Sequence, residues 1–464
     1  MIGYGFLSLM VFFLFFFVGL RRVPLRQWGM HPFFWFSYHV FLHCPIRALL
    51  LGYGLQNPVF LVDEKDLALA VLYGTAFYVF TAVFCNLFHR CGENVLFRPC
   101  RIPLFLGRSS NQWLNYGLLL LIPVLLSYLY GIGTNSFSFI DGDTERQLSF
   151  SLAKMIAMNI SSFVNYLFAI AFLFWQKEEK NKKNKIIVCL AFFLFCLRGV
   201  TSGSRGFILA SFFILVSGLL LIGGVKKMLR GVLVVAVPIF FLLTAVTYFR
   251  SGEGENIYSQ GTTTNWEAVR ERIKRVKGEA KVENLEGSQE HILSRATYQL
   301  DAWAFLLSQP NSGEQKDRGR YLYGSIADFR HFIPKVVWEE RDPEDFNYWL
   351  GTYLFQAPYM KLNFPVGRIG ESFLIFGKEG LIFSVLNGFL FVWFFRKFFL
   401  SKIPFWAIAY IPFHISWSMQ GQATFFWNMV NPIKNFLYFF LVTLVLLTLF
   451  FRKKGHLSGK REGK

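Results

Sequence analysis

The residues with most to offer a reaction are arginines placed beside small residues at the ends of apolar runs. Arg198 and Arg205 bracket the turn LRGVTSGSRG, in which Ser202, Gly203, Ser204 and Gly206 let the backbone come close to a ligand. A planar guanidinium pairs bidentately with phosphate. Set into a bilayer, such a charge is costly enough to need a partner or a task. The alternative for both is an ordinary anchor that snorkels to the membrane surface.

A second concentration lies between Tyr321 and Gly380, where Asp328, Arg330 and His331 crowd in front of Phe332-Ile333-Pro334. A carboxylate or imidazole next to arginines suits a general base beside a phosphate clamp. Trp338, Trp349 and Tyr353 add rings on which sugars stack. A salt-bridged, folded loop would use the same acids. Arg368 and Glu371 follow, either as members of the site or as an ion pair fixing the angle at which the chain re-enters an apolar run.

Smaller signals are polar residues inside apolar stretches. Lys154, Asn159, Ser162 and Asn165 share a helical face, Arg47 follows Pro45, and Asn428, Asn431, Lys434 and Asn435 open the last apolar run. Singly these are helix-packing glue; together they predict a polar chamber. His39 and His43 stand four apart, but no spacing supplies the two further ligands of a metal site. HExxH, CxxC, GxSxG and phosphate-binding Walker patterns do not occur. No metal or cofactor is therefore expected.

The elements that must hold these residues are membrane spans. The 464 residues are 54% hydrophobic and 17% charged, with 57 Phe, and mean hydropathy is +0.39. Apolar runs of about twenty residues recur, each long enough for a core of about 30 Å. About eleven can be drawn, near 2–20, 33–51, 67–88, 113–132, 152–175, 186–201, 206–223, 231–249, 371–395, 404–420 and 431–451. The net charge of +19 comes from Lys and Arg clustered at the ends of these runs. That placement argues for membrane topology and against nucleic-acid binding.

The basic loops alternate in parity, which puts them and the C-terminal tail in the cytoplasm and the N-terminus outside. Met1 to Leu20 lacks a basic n-region and a small-residue cleavage site, so it is expected to be a retained span. The reading is an all-α polytopic protein in three parts: spans over 1–249, an external loop or lid over 250–370, and spans with a tail over 371–464. Within the loop, Ser288 to Gln309 predicts a helix with Ile292, Ala296, Leu300, Trp303 and Leu307 on one apolar face and QPNSG as its stop. The six cysteines avoid the external loop, so no disulfide framework is expected.

Four stretches resemble the Wzy-type oligosaccharide repeat-unit polymerases, which include the O-antigen and enterobacterial common antigen polymerases. They are TSGSRGFILA, similar to that family's GGTRA-like turn; SRATYQLDAWAFLLSQP; ADFRHFIPKVVW, with its D-F-x-x-F-I-P core; and GRIGESFLIFGKEGLIF. The resemblance covers about Leu197 to Phe395. It implies a metal-independent glycosyltransferase of the bacterial inner membrane, with a GT-C-like architecture. Such an enzyme moves a growing glycan from undecaprenyl pyrophosphate to the non-reducing end of an incoming lipid-linked repeat, working beside a flippase and a chain-length regulator. Matched residue by residue, Arg205, Arg295 and Asp328 take the family's motif positions. With the residue readings above, pyrophosphate is then expected at Arg198, Arg205, Arg295 and Arg330, with Arg368 and Lys434 as substitutes in the clamp, and proton transfer at Asp328, His331 or Glu371. Met419-Gln420-Gly421-Gln422 stands where the family often shows an arginine. A glycan ligase and a transporter of lipid-linked sugar are the competing readings.

Overall fold

A computed structural model describes residues 1–60, 62–91, 95–100, 110–134, 152–175, 182–201, 205–251, 297, 299–308, 321–322, 350, 367–419 and 425–451. The helices are α1 Ile2–Leu20, α2 Pro32–Phe41, α3 Arg47–Gly52, α4 Glu64–Arg90, α5 Ser110–Gly133, α6 Leu152–Ser161, α7 Val164–Trp175, α8 Lys182–Thr201, α9 Arg205–Ser251, α10 Gln299–Ser308, α11 Gly367–Phe376, α12 Phe383–Phe394, α13 Pro404–Met419 and α14 Phe425–Phe451. No strand occurs among the described residues. Among the described residues, five helical runs are long and apolar enough by length and composition to cross a membrane, 2–20, 64–90, 110–131, 212–244 and 367–399, and the described fold is that of an all-α, membrane-embedded protein.

Local chemistry explains the helix ends. Pro32 opens α2 with its fixed φ, and the His31 ring caps it by accepting the Phe33 N–H at 3.2 Å. Pro45 has no N–H to give, and the chain passes it in a π-turn, Leu42–Ile46, before α3. Acidic Glu64 and Asp66 begin α4, while His89 and Arg90 end it, both matching the helix dipole.

Packing then fixes two ends. Gly52 and Gly5 let α1 and α3 touch, and the Met1 ammonium reaches Glu64 at 2.6 Å, which defines a Met1 end. At the opposite, Arg90 end, Arg22 donates to Asn86 and His31 meets His89 at 3.1 Å. Around α4 are packed α1, α12 and α10, and a second group joins α7, α8, α13 and α14. Tyr166 and Phe439 stack there with centroids 3.8 Å apart and planes 2° from parallel.

Two long apolar runs are folded back on themselves. In α9 the helix breaks at Gly224 (φ 67°), and a Cβ on Gly231 would strike Leu219. Ile208 and Ile239 pack in one cluster, although a straight helix would part them by roughly 46 Å. The break falls at the charged stretch between the runs 206–223 and 231–249.

A single span over 371–395 is expected from hydropathy, whereas the chain leaves α11 at Gly377 (φ 65°), passes a short 3-10 segment, Gly377–Ile382, and continues as α12. The Arg368 guanidinium carbon lies 5.7 Å from the Phe391 ring centre, where a continuous helix would separate these residues by roughly 35 Å. A Cβ on Gly380 would likewise run into the Ser372 carbonyl and the Tyr73 hydroxyl. Thus α11 and α12 form a hairpin whose turn carries the exposed Lys378 and Glu379.

Candidate functional site

The hairpin sends α11 back into the bundle, with Gly367 and Arg368 at its buried tip, roughly 13 Å from the turn. Gly367 takes φ 61°, a conformation that favours glycine, to start the helix there. Tyr73 of α4 holds the other end: its hydroxyl is 3.3 Å from Ser372 Oγ and donates to the Gly377 carbonyl at 3.4 Å. Arg368 is 3% exposed and Glu371, one turn on, is 1% exposed. The two are within Coulombic reach of each other, and Arg368 is also within reach of His39 on α2.

The third side of this cluster is α10. A helix from the stretch expected to form an external lid is buried on all sides: Gln299, Leu300, Asp301, Ala302, Trp303 and Ala304 all lie in the interior. Only one apolar face was expected. Polar burial requires partners, and each polar group has one. The Asp301 carboxylate accepts from Arg47 Nε at 2.9 Å and Nη2 at 2.6 Å, a bidentate pair in which both side chains are 0% exposed. Arg47 also binds the Gln56 side chain and the Asn57 carbonyl, and the Val59 N–H donates to Asp301. Trp303 lies over Gly74, where a Cβ would sit 3.0 Å from the indole.

Gln299, near the start of α10, connects this clamp to the histidines. Its Oε1 is 2.7 Å from His39 Nε2, and its backbone N–H, one of the donors a helix N-terminus leaves over, goes to His43 Nδ1 at 3.4 Å. The two imidazoles lie with centroids 4.2 Å apart. One cluster therefore joins a buried arginine, a carboxylate, two imidazoles and an amide. That set is able to bind an anion and move a proton.

The structure separates the arginines expected from the sequence. Arg368 and Glu371 come together in this cluster. Arg198 lies elsewhere: its Nη1 donates to Ser161 Oγ at 2.8 Å, which ties α8 to α6, and Tyr128 of α5 is within Coulombic reach of it. Lys434 is half-buried on α14, a helix that touches α11. Arg205 is the first residue of α9. Arg295, Asp328, Arg330, His331, Trp338, Trp349 and Tyr353 lie outside the described residues. Asp301 and Gln299 are members of the cluster that the motifs do not point to. The one available signal was a carboxylate in an otherwise apolar helix. Among the described residues no group of three or more His, Cys, Asp or Glu is arranged to hold a metal. The chain matches no protein-family model, no curated protein and no solved structure.

Proposed function

We propose that the protein is an integral membrane glycosyltransferase that polymerises glycan repeat units carried on a polyprenyl pyrophosphate. The observation that carries this reading is Arg368, a cation held in the interior at the tip of a re-entrant helix, within Coulombic reach of His39 and Glu371. Transfer from a lipid pyrophosphate needs a cation where the leaving group gathers charge and a nearby group that takes a proton from the acceptor hydroxyl. Arg368 has the first role, aided by the positive end of α11. The likeness of the flanking stretches to repeat-unit polymerases supplies the substrate class, undecaprenyl-pyrophosphate-linked oligosaccharide. In the accompanying topology of about eleven spans, the Met1 end faces the outside of a bacterial inner membrane and the tail lies in the cytoplasm.

The test is purified protein in detergent, given only lipid-linked repeat units. Wild-type protein is expected to lengthen the chains, and Arg368→Ala to lower the rate by roughly 100-fold or more. Lengthening without a second compartment excludes pure transport. Transfer only to a different acceptor, such as a lipid A core, would make the protein a ligase. Undiminished lengthening by Arg368→Ala would refute the assignment of the site.

A further inference from the structure

We propose that His39 takes the proton of the attacking glycan hydroxyl, and that Gln299 sets its tautomer from a helix fixed by the Arg47–Asp301 clamp. This rests on the transfer reaction proposed above and assigns its base to a residue of α2 instead of Asp328, His331 or Glu371.

The hydrogen-bond geometry makes the argument. A side-chain amide oxygen only accepts, so the 2.7 Å contact between Gln299 Oε1 and His39 Nε2 places the ring proton on Nε2. The lone pair is then on Nδ1; the bond at Nε2 is the hydrogen bond the His39 ring makes among the described residues, and the residue is half-buried. One nitrogen held by an acceptor and the other open is the arrangement of an oriented general base. His43 is otherwise engaged: it is buried, its Nδ1 accepts from the Gln299 N–H, and it hydrogen-bonds the Thr297 backbone. The charged and titratable groups facing His39 are His43 on its own helical segment and Arg368 on α11, with Glu371 behind Arg368 and Arg47 beside His43.

The step balances as follows. The acceptor O–H gives its proton to Nδ1 as its oxygen bonds the anomeric carbon. The bond from that carbon to the pyrophosphate oxygen breaks, and its electron pair leaves with the pyrophosphate. The new imidazolium and Arg368 both lie next to that growing negative charge, and the imidazolium returns its proton to the released pyrophosphate.

Elongation kinetics on full-length protein in detergent, with the lipid-linked repeat as substrate, test this. His39→Ala is expected to lower kcat by about 10²–10⁴-fold with KM within a few-fold, and added imidazole to restore part of the rate. Gln299→Glu, which keeps an acceptor oxygen at Nε2, is expected to stay within about tenfold of wild type, while Gln299→Leu falls well below it. If His39→Ala unfolds, His39→Gln with an unchanged melting transition replaces it and must show the same loss. A His39 variant that elongates within tenfold of wild type, or a loss that imidazole leaves untouched and Gln299→Leu does not share, overturns the proposal. Elongation by the wild type but not by Arg368→Ala, alongside an active His39 variant, refutes His39 alone. A wild type that never elongates refutes the transferase reading itself.

Discussion

Removing the Asp301 carboxylate tests whether α10 is a built part of the bundle. Asp301 and Arg47 are both fully buried, joined by two hydrogen bonds of 2.9 and 2.6 Å, and separated by 254 positions in sequence. Asp301→Ala leaves a buried guanidinium without its counter-charge and strips the Val59 N–H of its acceptor. Breaking one member of a buried pair costs about 3–5 kcal/mol, far more than the pair contributes over an apolar replacement. Arg47→Met strands the carboxylate and is expected to cost a similar amount. The double variant Arg47→Met/Asp301→Leu strands neither charge, and it should be more stable than either single variant. Thermal unfolding in one detergent, followed by tryptophan emission, ranks the four proteins. Single variants that melt within a degree of wild type, or a double variant whose loss equals the sum of the singles, would refute the clamp.

Three further expectations follow from packing and charge. A Cβ on Gly388 would lie 2.9 Å from Phe84 Cβ and 3.1 Å from the Cys85 nitrogen and the Thr81 carbonyl, so Gly388→Val should force α12 from α4 and destabilise by about 1–3 kcal/mol, read as a lower melting temperature. Arg198→Met should remove the α8 hydrogen bond to Ser161 and lower stability, yet leave the KM for the lipid-linked substrate within a few-fold; a specific rise in KM would return Arg198 to the phosphate site. Cys91, exposed at the Arg90 end, should react with a membrane-impermeant maleimide in inverted vesicles and not in intact cells, and the reverse labelling would invert the topology.

Hydropathy and charge made the helical class and the α9 turn legible, because Lys226, Lys227 and Arg230 mark a break that no bilayer core would tolerate. The hairpin at Gly377 carried a similar mark, Lys378 and Glu379 between two glycines. The surrounding residues are so apolar that a window average absorbed both charges into one span. The buried tip of α11 was harder to foresee. Arg368 and Glu371 read as the mouth of a span if the chain runs inward from them, and reversing that direction carries both residues from the surface to the interior.

Burial of α10 illustrates a different limit. Leu300, Trp303 and Leu307 mark one apolar face, and Gln299 and Asp301 then read as a solvated face. Such a helix enters a bundle only if partners for its polar face are already there, and those partners, Arg47, His39 and His43, come from α2 and α3, far away in the chain. Arg47 taken alone looks like helix glue, and Asp301 taken alone looks like a surface acid. Their mutual neutralisation is what allows the segment between α9 and α11 to send a helix inward, and that helix delivers Gln299 to His39. A charge pair with no evident chemistry of its own thus determines which histidine has an open nitrogen, and ties the placement of α10 to the reaction proposed for it.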